Sequence, residues 1–286
     1  MTMSSGIANF FKPNVNAFAG SSVPLGPEAA GYYSTAPLAQ TLADLVDFSR
    51  INAGGTRLTV GAANVRTSAM HYFDSRDMPL DARHVMASGA LPPAFPAIRI
   101  DGELYWDGGI LSNTPVEAVF DDFPRRSGVV FAVHIWNPHG PEPGTIGEVL
   151  NRQKDVQYSS RAGTHIVRQR QLHRLRHVIS GLARLMPPDL AANDTVRGYA
   201  EYGCMTRMHV VRLLAPGLVG EDHTKDIDFS PSGIQARWEA GYADTARVLR
   251  KAPWNEPFDP LEGLILHEAE SDATDPTTKL PNGGLR

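Results

Sequence analysis

The run Val129-Val-Phe-Ala-Val-His-Ile135 constrains the fold more than any other stretch of this chain. Apolar residues follow one another there without the polar alternation of a half-wet strand. Such a run is typical of a strand buried in a parallel sheet between layers of helix. Other strand-type segments surround it. Thr56–Val65 reads as a strand buried at Leu58 and Val60, and Ser68–Phe73 as a second. Ile98–Ile100 and Leu104–Trp106 form a hairpin with Asp101-Gly102 as its turn, and Met208–Leu214 is a further strand.

Helix-type segments alternate with these strands. Ser34 or Thr35 can cap a helix carrying Leu38, Leu42, Leu45 and Val46, and Asp81 a short one through Val85 and Met86. A helix is expected after Asn113, with Pro115 in its first turn. The region Thr145–Met186 reads as helix, with Ile166, Leu172, Leu175, Ile179, Leu182 and Met186 stepping by threes and fours until Pro187-Pro188 ends it. Ser230-Pro231 opens the last helix, with Ile234, Trp238, Tyr242 and Leu249 on one face. Strands alternating with helices predict an α/β fold. Residues 1–33 have no period and read as a loop-like start. Residues 34–138 read as the C-terminal part of one domain, 139–252 as a helical and mixed extension of it, and 253–286, rich in Pro, Gly, Asp, Glu and Thr, as a disordered tail.

Composition excludes several functions. The formal net charge of −4 does not ask for nucleic acid. The single cysteine, Cys204, excludes an internal disulfide and any Cys-rich metal site. Among the ten histidines, His173 and His177 lie one helical turn apart, but Arg174 and Arg176 stand between them and no third ligand is evident. No metal or cofactor is expected. The chain has neither a secretory leader nor a spanning apolar run, so the sequence predicts a cytoplasmic protein, at most peripheral to a membrane. Arginines at 161, 168, 170, 174, 176 and 184 are candidates for weak contact with anionic headgroups, against the plainer reading of a solvated helix face.

The most informative chemistry follows the hairpin. Asp107 is succeeded at once by Gly108 and Gly109, then by Ser112-Asn113-Thr114-Pro115. Paired glycines let the backbone turn sharply and let another group approach closely. An aspartate at such a junction could be a catalytic base, a metal ligand or a turn residue. The turn preferences of Asp and Gly favour the last when these three residues stand alone.

The wider segment changes that balance. Ala87-Ser-Gly-Ala-Leu-Pro-Pro-Ala-Phe-Pro96 precedes the hairpin, the hairpin delivers Asp107-Gly-Gly, and Asn113-Thr-Pro115 follows. In order and spacing this resembles the patatin-like phospholipase family, more loosely from Tyr32 to Leu249. Arg152-Gln-Lys-Asp155 and Gln157-Tyr-Ser-Ser-Arg161 are similar to a C-terminal extension of some bacterial members. The resemblance implies a layered α/β fold around a largely parallel sheet and hydrolysis of lipid acyl esters by a Ser–Asp dyad. It assigns Asp107 as the general base, with Gly108, Gly109, Asn113 and Pro115 as motif support. Ser88, Pro92 and Phe95 are expected in the wall of an apolar pocket.

Two parts of that machinery have no counterpart. No serine has glycine at both i−2 and i+2, so no Gly-x-Ser-x-Gly elbow occurs, and no Gly-rich oxyanion loop precedes a helix. The expectation is that an upstream fragment carries the nucleophile. The alternative is a truncated, non-catalytic remnant that binds acyl chains or a protein. If upstream strands are needed, the strand Arg57–Ala63 or its neighbour should lack a partner.

Overall fold

The computed structural model describes residues 2–268 except 216, 219–224 and 226; the side chains of 2, 3 and 160–162 also lie outside the description. The chain opens with a short helix α1 (Thr2–Ser5). Strand β1 (Lys12–Pro13) then pairs with β2 (Tyr33–Ser34). This start is anchored: Phe11 and Tyr33 are buried, and their rings meet each other and Phe95 at centroid distances of 4.9 to 6.3 Å. Aromatic rings, rather than a hydrophobic period, hold the stretch that reads as a loop-like start.

Helices α2 (Ala36–Leu45) and α3 (Phe48–Asn52) lead to strands β3 (Thr59–Asn64) and β4 (Met70–Asp74). Helix α4 (Ala82–Ser88) follows, with Asp81 accepting from the Arg83 amide at its start. Strands β5 (Ile98–Ile100) and β6 (Glu103–Asp107) come next, joined through Asp101 and Gly102, both at positive φ. The sheet order is β4-β3-β6-β5, and every pairing is antiparallel. The short β3–β4 and β5–β6 connections allow only that direction, since a parallel return needs a crossover of a dozen residues or more. Ala62, Phe73, Leu80, Ala87, Ile100 and Tyr105 form the core beneath it.

The second sheet is parallel. After α5 (Glu117–Phe120), strand β7 (Gly128–His134) leads into the 40-residue helix α6 (Ile146–Leu185). Helices α7 (Pro188–Ala191) and α8 (Asp194–Ala200) precede β8 (Met208–Leu214). Helix α9 (Pro231–Lys251) then crosses to β9 (Leu264–Glu268). The order is β7-β8-β9. Among the described residues parallel pairing is therefore confined to this three-stranded sheet, rather than extending through one largely parallel sheet.

Strand β3 pairs with β4 on one side and β6 on the other, and the sheet ends at its neighbour β4, one of the two strands expected to lack a partner. Three other expectations are corrected. The apolar strand at a sheet edge is β7, exposed along Val129, Phe131 and Val133 instead of covered on both faces. Strand β9 lies inside the stretch read as a disordered tail, because Leu264-Ile-Leu is a short apolar run hidden between Pro- and Gly-rich neighbours; residues 269–286 lie outside the described residues. The helix expected after Asn113 starts only at Glu117 and is four residues long. The chain is first drawn into a tight turn at Gly108–Ile110, and Pro124 keeps Phe123 from continuing a helix.

The long helices bury other faces than their apolar periods suggest. On α6 the buried positions are Asp155, Ser159, Ile166, Gln169, His173 and His177, whereas Leu172, Leu175 and Leu182 are exposed. On α9, Asp244 and Val248 are buried, and Ile234, Trp238, Tyr242 and Leu249 face solvent. The first unit docks onto the second through α5: Val116 and Phe120 enter a core with Ala132, Ile166, Met208, Val210 and Leu264.

Candidate active site

Asp107 is the last residue of β6, opposite Ala62 of β3. Its amide donates to the Ala90 carbonyl at 3.0 Å, which ties it to the turn that follows α4. The next two residues fold back as a 3-10 turn, and Asp107 Oδ1 accepts from the Gly109 amide at 2.7 Å. Gly108 is buried against β3. A Cβ there would lie 2.5 Å from the Gly61 carbonyl oxygen, so only glycine fits. A Cβ on Gly109 would sit 3.0 Å from both Asp107 Oδ1 and Asn113 Oδ1. The Asn113 side chain thus lies over the turn, on the same side as the carboxylate.

Burial pushes the Asp107 carboxyl above the ordinary aspartate range, and the Gly109 N–H offsets only part of that. Among the described residues no cation counters the burial, in contrast to Asp74. There burial also raises the carboxyl, but Arg57, the Arg76 amide and Thr59 outweigh it and bring it down to about 2. A carboxylate raised toward neutrality is a better proton acceptor at physiological pH.

The sequence-predicted residues divide in space. Asp107, Gly108, Gly109 and Asn113 converge on one turn. Pro115 lies just before the cap of α5 rather than inside a helix. Ser88 ends α4, and Pro92 and Phe95, all partly buried, belong to the turn anchored on Asp107. The Phe95 ring is engaged by Phe10, Phe11 and Tyr33. A cavity of about 690 Å³ lies elsewhere, at the carboxyl ends of β7 and β8, and none of these residues lines it.

A second polar group beside the turn was not legible from the sequence. Tyr72 Oη donates to Glu117 Oε1 at 2.7 Å, and His165 Nδ1 lies 3.4 Å from Glu117 Oε2. The Tyr72 ring is also the nearest atom group to a Cβ built on Gly61, at 3.0 Å, so it packs next to the Gly61–Gly108 contact. Burial raises the Glu117 carboxyl, yet hydrogen bonds from Tyr72 and Ser112 and the charge of His165 outweigh it and hold it below its usual range. The partners come from β4, α5 and α6, so no local spacing could have paired them.

The arginines of α6 do not form one patch. Arg170 is paired with Glu262 at 2.6 Å, and Arg176 is partly buried with a buried Nη1 that has no hydrogen-bond partner. The side chain of Arg161 lies outside the described residues. Among the described residues no group of three His, Cys, Asp or Glu is placed to hold a metal ion, and no helix is long and apolar enough to cross a membrane.

Comparison with known proteins finds two family models. A family model described as patatin-like phospholipase matches residues 7–120, which contain the whole Asp107 turn. A second, described as patatin phospholipase, matches residues 156–261, from α6 to the approach to β9. No curated protein matches the chain. The two matches fall on both units of the fold, and the chain belongs to the patatin-like phospholipase family.

Proposed function

We propose that this chain supplies the general base of a lipid acyl hydrolase, and that the base is Asp107. The observation that carries this reading is the carboxylate itself: partly buried, without a cationic partner among the described residues, and fixed by the Gly109 amide at 2.7 Å in a turn that only glycine permits at position 108. A residue serving only as a turn former has no need of a desolvated carboxylate.

The chemistry follows from that placement. Asp107 takes the proton from a serine hydroxyl as the serine oxygen attacks the ester carbonyl carbon. The carbonyl π electrons move onto oxygen, and the tetrahedral intermediate needs preorganised N–H donors. On collapse the alkoxide leaving group departs with the proton from Asp107, leaving an acyl-serine. Water then repeats the sequence: Asp107 takes its proton, the acid is released and serine recovers its hydrogen. No histidine stands between base and nucleophile.

The serine comes from outside this chain. No Gly-x-Ser-x-Gly elbow occurs in it, and among the described residues no serine hydroxyl is bonded to the Asp107 carboxylate. The same observation favours the rival reading, a non-catalytic remnant. One experiment separates the two. The purified chain alone should hydrolyse no short acyl ester above background and should not react with a fluorophosphonate, and adding the segment encoded upstream should restore both. Stoichiometric labelling of the chain alone would defeat the claim of a missing nucleophile. A complete complex without activity would favour the remnant.

A further inference from the structure

The cavity at the carboxyl ends of β7 and β8 shares no residue with the Asp107 turn. Its volume of about 690 Å³ falls in the usual range of ligand pockets, roughly 300–1,000 Å³. The crevice beyond the carboxyl ends of parallel strands is also where open α/β sheets bind their ligands. Val133, Ile135, Leu213, Leu218 and Ala240 give it apolar walls. The chain that leaves β7 is pinned beside it, because Arg152 donates to the Asn137 and Pro138 carbonyls at 3.0 and 2.6 Å.

The charges of the wall decide what can enter. Among the described residues its Lys, Arg and Asp side chains all have counter-ions. Lys225 stands 3.0 Å from Asp155, Arg237 lies 3.5 Å from Asp228, and Asp244 is paired with Arg247. Burial, with Arg212 nearby, holds the His134 imidazole down to about 4, so it is uncharged at neutral pH. An ionised ligand would bring a charge that no wall group is left to balance. Such a charge costs far more to take out of water than a neutral polar group does. Trp136 stacks on Tyr158 at 5.1 Å and receives Lys225 at 5.3 Å from its ring centroid, so a flat aromatic ligand would have to displace one of them.

What the wall leaves unmet is neutral and polar. His134 Nε2 and Asn151 Oδ1 are buried and have no hydrogen-bond partner among the described residues. His134 is only 4% exposed, so bulk solvent does not serve it. The amide oxygen of asparagine only accepts, whereas an imidazole nitrogen donates or accepts according to its tautomer. A hydroxyl can donate to the first and serve the second in either tautomer. Buried polar atoms are costly to leave unpaired, so a ligand that meets both is favoured over one that meets neither.

We propose that this cavity binds an uncharged aliphatic amphiphile, with hydroxyl groups on His134 and Asn151 and its chain against Val133, Ile135 and Leu213. The site is separate from the Asp107 turn and does not depend on the function proposed there.

The test titrates the full chain by calorimetry with octane-1,2-diol, octanoate and octylammonium, which carry neutral, anionic and cationic heads on similar chains. The expected result is saturable binding of the diol, roughly tenfold or more tighter than of either ion. Gly241→Leu is the blocking variant. Gly241 lines the cavity and a Cβ there meets nothing within 4 Å, so the added side chain enters open space. Leucine also suits a helix better than glycine, and the variant should melt no lower than the parent. It should bind no diol. Asn151→Leu should weaken the diol roughly tenfold or more, as the loss of one hydrogen-bond partner does. Asp107→Asn should bind it as the parent does. Absence of diol binding to the parent, or an ion bound as tightly as the diol, overturns the proposal. So does full binding by Gly241→Leu or by Asn151→Leu, which would place the diol elsewhere, and so does its loss in Asp107→Asn.

Discussion

Gly108 rests on Gly61: a Cβ on the first would stand 2.5 Å from the carbonyl oxygen of the second. Strand β3 thereby fixes how closely the Asp107 turn approaches the sheet. Gly108→Ala should push the turn outward and lengthen the 3.0 Å bond from the Asp107 amide to Ala90. We expect a loss of about 1–3 kcal/mol, the usual cost of overpacking a tight site. Urea unfolding measures it. An unchanged midpoint would mean that the contact relaxes freely.

Asp107→Asn should not destabilise the chain. Its carboxyl is raised in the fold, so the native state keeps a proton over a pH range where the unfolded chain has lost it. Stability therefore falls as pH rises through that range, and ionised Asp107 is a burden at neutral pH. Asparagine removes the charge and still offers an oxygen to the Gly109 amide. The melting temperature at neutral pH should equal or exceed the parent's. A clear drop would make Asp107 a structural turn residue.

His134 and His173 set an acid limit. Burial, with Arg212 near the first and Arg176 near the second, holds both imidazoles down to about 4. An unfolded histidine takes up its proton near 6.5. Between these values the unfolded chain binds more protons, so stability should rise with pH from about 4 to about 6.5. Thermal melts across that window check the slope. His173→Gln should flatten it, and a slope unaffected by that change would contradict the assignment.

Asp74 adds a lower window. Its carboxyl, depressed to about 2 in the fold by Arg57 and Thr59, contributes stability that is present above the unfolded aspartate value and lost as pH falls through about 2. Asp74→Asn should cost roughly 2 kcal/mol at neutral pH and nothing near pH 2. Equal losses at both pH values would show that packing, not charge, is responsible.

Much of this was legible in the sequence where the signal is local. Asp81 before α4, Asp101-Gly102 between β5 and β6, Pro187 after α6 and Ser230-Pro231 before α9 all stand where turn and cap chemistry puts them. Asp107 with its two glycines could be read because its turn is closed by neighbours within six residues. What could not be read depends on contacts far along the chain. The Tyr72–Glu117 bond joins residues 45 apart, and no period announces it. The apolar stripes of α6 and α9 were legible as stripes, but not as exposed ones. Leu172, Leu175, Trp238 and Tyr242 follow helical spacing, yet the faces turned inward carry His173, His177 and Asp244. Periodicity shows that a face is apolar and leaves open what covers it.

The central claim is that Asp107 is the base of an ester-hydrolysing dyad. Its most direct test is ester hydrolysis by the chain completed with its upstream segment, compared between Asp107 and Asp107→Asn under saturating substrate. Loss of one general base costs about 10²–10⁴ in rate, and with no histidine to substitute the upper end is expected here. Asp107→Asn should lower kcat by about 10⁴ with the melting temperature unchanged or raised. Activity within tenfold of the parent, from an equally stable protein, would contradict it.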